Sequence, residues 1–196
     1  MEKIKTEVHP FAAFVPNNTE SLILGSFPCL NDEGDYGQWF YCGSGRNLFW
    51  KLLEEIYETD LQTIEAKKKL LTTLKLGITD IFYKIQRKSD NRKVFCKDTN
   101  IEVVTTNIEA INKIFKTNSI QKIYFTSKYV ESSFQYYIKP ALDLNDFTTV
   151  TLLSPSPQAA IAYSTRQEVI DFLKTNPNKK IKNFIKEQYI SVLPKK

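Results

Sequence analysis

Histidine occurs once in this 196-residue chain and cysteine three times, and each scarcity removes a class of chemistry. A single His9, in HPFAAF, gives poor support to a Ser-His-Asp triad, an HExxH zinc site or a His/Cys metal cluster. Cys29, Cys42 and Cys96 form no CxxC pair and are odd in number. That points to reduced thiols in a cytoplasmic protein rather than to a disulfide framework or an iron–sulfur cluster. No GxGxxG or GxxxxGK[ST] phosphate loop occurs. No apolar run approaches the roughly 18 residues of a membrane span, and the start MEKIKTEVHP lacks the apolar centre of a signal peptide. Neither a metal nor a redox cofactor is expected.

What is present describes a globular protein. Hydrophobic residues make up 42% and aromatics 13%, enough for a sizeable core in one domain spanning 1–196, with no repeat or linker to divide it. The net charge of +5 is compatible with a polyanionic partner. Arg87, Lys88, Arg92, Lys93 and Lys97 gather in one polar segment, and Lys174, Lys179, Lys180, Lys182 and Lys186 near the C-terminus. The C-terminal set reads first as a solvated helix face.

Short apolar runs at Leu22–Gly25, Ile78–Phe82, Ile123–Thr126 and Thr148–Leu153 read as strands. Helical periodicity lies between them. Leu48, Phe49, Leu52, Leu53, Ile56 and Tyr57 share one face of RNLFWKLLEEIYE, with Asn47, Lys51 and Glu54 opposite. A second helix carries Leu61, Ile64, Leu70, Leu71 and Leu74 and opens on a capping box at Thr59 and Gln62. TNIE (106–109) and TRQE (165–168) open two more in the same way, and Ile181, Phe184, Ile185 and Tyr189 mark the last. Strands alternating with helices predict a three-layer α/β/α sandwich around a central, mainly parallel four-stranded sheet. Ligands bind beyond the carboxyl ends of such strands, where two unusual loops leave: GSFPC after Leu24 and SPSPQAA after Leu153.

Each loop has two readings from its residues alone. CGSGRN (42–47) is a cradle for an anion or a tight turn. SPSPQAA is a stiff grip for a phosphate, with Gln158 projecting from its tip, or a rigid turn.

LGSFPC, FYCGSGRNLFW with GITDIF, and LLSPSPQAA together resemble the uracil-DNA glycosylase superfamily, and GSFP with RNLFW is most similar to its hypoxanthine-DNA glycosylase branch. The resemblance, which frames residues 21–160, implies removal of a deaminated base from DNA in base excision repair by a monomer that flips the base into a pocket. Gly25, Ser26 and Phe27 then belong to the pocket floor, and Phe40 or Tyr41, with Trp39 beside them, to the stacking aromatic or to ordinary core. Ser156, Pro157 and Gln158 form a loop that presses the minor groove and inserts Gln158 as a wedge; Arg87 and Lys88 are phosphate contacts. Two positions depart from the family pattern. Phe27 stands where a water-activating Asp or Asn is usual, and Ser154 where a His or Asn serves the leaving base. Three readings follow: Asn47 takes over catalysis instead of capping its own helix; an acid of the NDEGD loop (Asp32, Glu33 or Asp35) places the water; or the chain is a DNA-binding, damage-sensing module without catalysis.

Overall fold

The computed structural model describes residues 6–31, 33–43, 45–91, 94–142 and 146–196. In chain order its strands are β1 (Thr6–Val8), β2 (Ser21–Gly25), β3 (Leu76–Asp80), β4 (Phe82–Arg87), β5 (Ile101–Thr106), β6 (Lys122–Phe125) and β7 (Thr148–Thr151). The helices are α1 (Phe49–Tyr57), α2 (Ile64–Thr73), α3 (Ile108–Thr117), α4 (Lys128–Ser133), α5 (Pro157–Tyr163), α6 (Gln167–Thr175) and α7 (Ile181–Val192).

Four strands form a parallel sheet in the order β3-β2-β6-β7. Leu22, Ile23 and Leu24 of β2 are wholly buried, because layers cover both faces and no polar alternation is needed. Successive side chains point to opposite faces. Ile23 and Tyr124 therefore join a core with Trp50, Leu53, Leu71 and Ile185 of α1, α2 and α7. Leu22, Leu24, Ile123 and Phe125 join the other, with Ile111, Ile114 and Val130 of α3 and α4. The expected α/β/α sandwich with its parallel four-stranded sheet is the observed fold.

The second layer also holds a three-stranded antiparallel sheet, β1-β4-β5, which the sequence reading did not anticipate. Its Ile85 and Ile101 close the second core. The helix starts also differ from expectation. The N-cap of α2 is Thr63, whose hydroxyl accepts from Ala66 N, while Gln62 bonds Glu54 instead. Thr106 ends β5, and Asn107 starts α3 with its side chain donating to Thr79 Oγ1 and Asp80 O. Thr165 back-bonds to Ala162, and α6 starts after Arg166. α2 thus keeps a side-chain cap, four residues past Thr59, whereas α3 and α6 start without one. Among the described residues, no helix is long and apolar enough to cross a membrane.

Candidate functional site

The parallel arrangement brings the carboxyl ends of β2, β3, β6 and β7 to one rim. Gly25 and Asp80 are register partners at the ends of β2 and β3. The chain approaches itself closely here: a Cβ at Gly25 would overlap both Asp80 Oδ1 and Tyr41 OH. A Cβ at Gly43 would collide with the carbonyls of Cys29 and Tyr36, so glycine lets the CGSGRN loop lie flat on the GSFPC loop. A third joint is one hydrogen bond, Leu48 N to Pro155 O at 2.9 Å, which docks the start of α1 on the SPSPQ loop. All three motif segments thus meet.

Asn47 sits half-buried at this meeting point, its Oδ1 accepting from Phe49 N at 2.9 Å. Its Nδ2 donates to no described residue. Tyr41 packs its ring against Phe49 with centroids 4.5 Å apart. Its backbone is left-handed, φ 59°, an uncommon state for an aromatic residue. Ser154 N donates to Tyr163 OH at 2.7 Å, and Ser154 Oγ accepts from Ser156 N. Ser156 Oγ caps α5 through Ala159 N, and Pro157 takes its first position. Gln158 is exposed on α5, and Ile161, one turn on, is 74% exposed.

Other expected site residues face inward. Phe27 is buried, edge-on to His9 and Tyr36 and beneath the Arg87 guanidinium. Phe40 and Trp39 are core: Phe40 packs on His9 and Phe11, and Trp39 stacks on Trp50. Ser26 donates to Asp98 Oδ1 at 2.6 Å. Burial pushes the Asp98 carboxyl above its ordinary value, against the opposing pull of that hydrogen bond. Arg87 is corrected from phosphate contact to internal brace. Its Nε and Nη2 reach the Glu7 carboxylate at 2.9 and 3.2 Å, and its remaining donors reach the carbonyls of Phe95 and Pro28. A guanidinium so buried has no face left for DNA, whereas its neighbour Lys88 is exposed. Two of the three expected thiols, Cys29 and Cys96, lie against each other with Cα atoms 5.3 Å apart, within disulfide-forming reach, while Cys42 stands apart. Sixty-seven residues separate them, and only the fold brings them together.

Of the NDEGD acids, Glu33 and Asp35 are exposed turn residues, with Asp35 Oδ1 bonding Gly37 N. Asp32, like Arg92 and Lys93, lies outside the described residues. Three of the five C-terminal lysines are surface partners of acids: Lys179 pairs with Glu187, and Lys182 and Lys186 with Glu55.

The sequence reading missed a buried pair under the rim. His9 Nε2 lies 2.9 Å from Asp80 Oδ2, with both side chains almost fully enclosed. His9 Nδ1 contacts Phe11 O and Phe11 N. Asp80 Oδ1 and Tyr41 OH, in contrast, are buried without a well-formed hydrogen bond among the described residues. The Thr126 hydroxyl, which donates to Leu24 O, also lies against the phenol and opposes the rise in its pKa. Burial, followed by the Asp80 charge, pushes the Tyr41 phenol well above its ordinary value, so it keeps its proton. The signal available in GITDIF was an acid closing a strand with no exposed position.

No protein-family model matches the chain. It is 33% identical over 150 residues to the hypoxanthine DNA glycosylase of Methanosarcina barkeri (strain Fusaro), covering 74% of this chain and 84% of that protein. It is 39% identical over 74 residues to the hypoxanthine DNA glycosylase of Methanosarcina acetivorans, covering 37% of this chain and 45% of that protein. Among solved structures, it resembles the solution NMR structure of a candidate uracil DNA glycosylase from M. acetivorans. That match has a TM-score of 0.55 at 20% identity and covers 95% and 99% of the two chains.

Proposed function

The chain belongs to the hypoxanthine DNA glycosylase family of the uracil-DNA glycosylase superfamily, and from that premise we propose how it acts. It removes a deaminated base, hypoxanthine or uracil, from DNA by flipping the nucleotide and hydrolysing its N-glycosyl bond, the opening step of base excision repair.

The chemistry breaks the bond between C1′ and the base nitrogen, whose electron pair leaves with the base. Positive charge develops on the sugar, and water adds its oxygen to C1′ and loses a proton. Donors that meet the departing base, a held water and exclusion of solvent lower this barrier. Asn47 holds the water. Its carbonyl is fixed by Phe49 N, so its orientation is set before substrate arrives, and its Nδ2 remains uncommitted. A neutral amide is a poor base, which suits a reaction whose leaving group departs early. Ser154 keeps a hydroxyl proton for the departing base. Gln158 and the exposed Ile161 enter the gap left by the flipped nucleotide. Lys88 and Arg46, both exposed, meet phosphates.

The observation that carries this reading is the Leu48–Pro155 hydrogen bond, which puts Asn47 beside the loop bearing Gln158. The test is incubation with labelled duplexes holding hypoxanthine or uracil opposite each base, scored for abasic sites. Release that vanishes in Asn47→Ala with binding retained is the expected result. Binding of damaged duplex without release would instead make the chain a damage sensor, and absence of both would overturn the reading.

A further inference from the structure

Cys29 and Cys96 have no part in the chemistry above, yet each stands on a segment that builds the floor of the site. Cys29 follows Pro28 in the GSFPC loop, and its carbonyl is the surface on which Gly43 lies flat. Cys96 belongs to the polar segment after β4, two residues before Asp98, whose carboxyl accepts from Ser26 Oγ. One buried side chain aligns the two segments. The Arg87 guanidinium, fixed by Glu7, donates to the carbonyls of Pro28 and Phe95, each the residue immediately before a cysteine. It also packs 4.8 Å over the Phe95 ring. Both sulfurs then converge on the Leu30 carbonyl, at 3.1 and 3.6 Å. The Cα separation of 5.3 Å lies within the range that a disulfide spans without backbone movement. Access differs between the two: Cys96 is exposed and Cys29 is half-buried. Cys42 is a poor competitor, because burial pushes its thiol up and keeps it protonated at neutral pH.

We propose that Cys29 and Cys96 are a thiol–disulfide exchange site, which takes a small-molecule disulfide as oxidant and closes a reversible staple across the site floor. The inference goes beyond the glycosylase reading and does not depend on it. The exposed Cys96, as thiolate, attacks one sulfur of the small disulfide. That S–S bond breaks, and one small thiolate leaves with the electron pair. The Cys29 thiolate then attacks Cys96 Sγ and expels the second. The protein gives up two electrons and two protons, and the small disulfide leaves as two thiols. Excess small thiol runs both steps backward. Closed, the staple lies beside the Ser26–Asp98 hydrogen bond, so the polar segment and the GSFPC loop move as one. Sixty-seven residues separate the two sulfurs in sequence, so closure also removes much of the freedom of the unfolded chain.

The test uses the full wild-type chain, equilibrated with glutathione and glutathione disulfide over a series of ratios. Free thiols are then alkylated and the linked peptides identified by mass spectrometry. The expected result is a single Cys29–Cys96 link, formed as oxidant rises and lost as thiol rises, with Cys42 alkylated throughout. The closed form should melt about 5–10 °C above the reduced form, and amide exchange over residues 26–31 and 94–98 should slow. Cys96→Ser, a change at an exposed position, should abolish the difference in melting between the two conditions, and Cys42→Ser should preserve it. Three free thiols in excess glutathione disulfide overturn the proposal. So does a mixed disulfide on Cys96 that never resolves, or a closed form that melts with the reduced one.

Discussion

The sharpest prediction concerns the buried couple that holds the site floor. His9→Phe keeps a ring in contact with Phe11, Phe27 and Phe40, whose centroids lie 5.4–5.9 Å from the imidazole. The packing loss is therefore small. What disappears is the donor 2.9 Å from Asp80 Oδ2. Since Oδ1 already lacks a well-formed hydrogen bond among the described residues, the whole carboxyl group is left enclosed without one. Leaving a buried carboxylate without its hydrogen-bonding partner costs about 3–5 kcal/mol. For a chain of this length that lowers the thermal midpoint by roughly 10 °C. Asp80→Asn alone costs little, because the amide oxygen still accepts from His9 and no charge is buried. The double variant should then recover much of the His9→Phe loss, giving a coupling of about 2 kcal/mol or more in the cycle. Equilibrium urea unfolding with a constant m-value is the assay. Additivity to within about 0.5 kcal/mol would refute the reasoning, since Asp80 would then not depend on His9.

Three further outcomes follow from the same geometry. Asp98 has its carboxyl raised by burial, so its contribution to folding is full in acid, below the ordinary carboxylate value, and is lost as pH rises through the folded value. Asp98→Asn should therefore melt higher than wild type at pH 8 and lose that advantage in acid; equal melting at both pH values would count against it. Glu55, its carboxyl lowered by the Lys182 hydrogen bond, acts with the opposite sign: its contribution is present at neutral pH and lost as pH falls through the folded value. Glu55→Gln should cost under about 1 kcal/mol at neutral pH, less in high salt, because the pair is exposed. Gln158→Ala combined with Ile161→Ser should weaken hypoxanthine-duplex binding by roughly tenfold, about 1.4 kcal/mol, and leave single-strand binding unchanged in fluorescence anisotropy; equal losses on both would exclude a wedge.

β2, β3 and β6 were legible in the sequence because they are buried on both faces and so stand out as apolar runs between turns, whereas β7, TTVT, is exposed or half-buried and owed its place to the apolar residues that follow it. β4 and β5 were not, since FYKIQR and IEVVTT bury only alternate or occasional residues and lie beside a conspicuous basic cluster. That cluster also misled about Arg87, whose partner Glu7 is 80 residues away. The motif segments were readable and do converge on one rim. The His9–Asp80 couple was not, because a lone histidine reads as an argument against histidine chemistry. Its partner is 71 residues distant, supplied by strand register that no local pattern encodes. Phe27 drew notice as a missing reactive group. Its place in the structure is a packed ring between His9 and Arg87, two side chains that brace the floor.

The hydrogen bond from Leu48 to Pro155 couples two loops mechanically. It ties the turn that carries Asn47 to the loop that carries Gln158, so neither segment shifts without drawing on the other. On the function proposed above, a push on Gln158 by stacked bases is one felt at the start of α1.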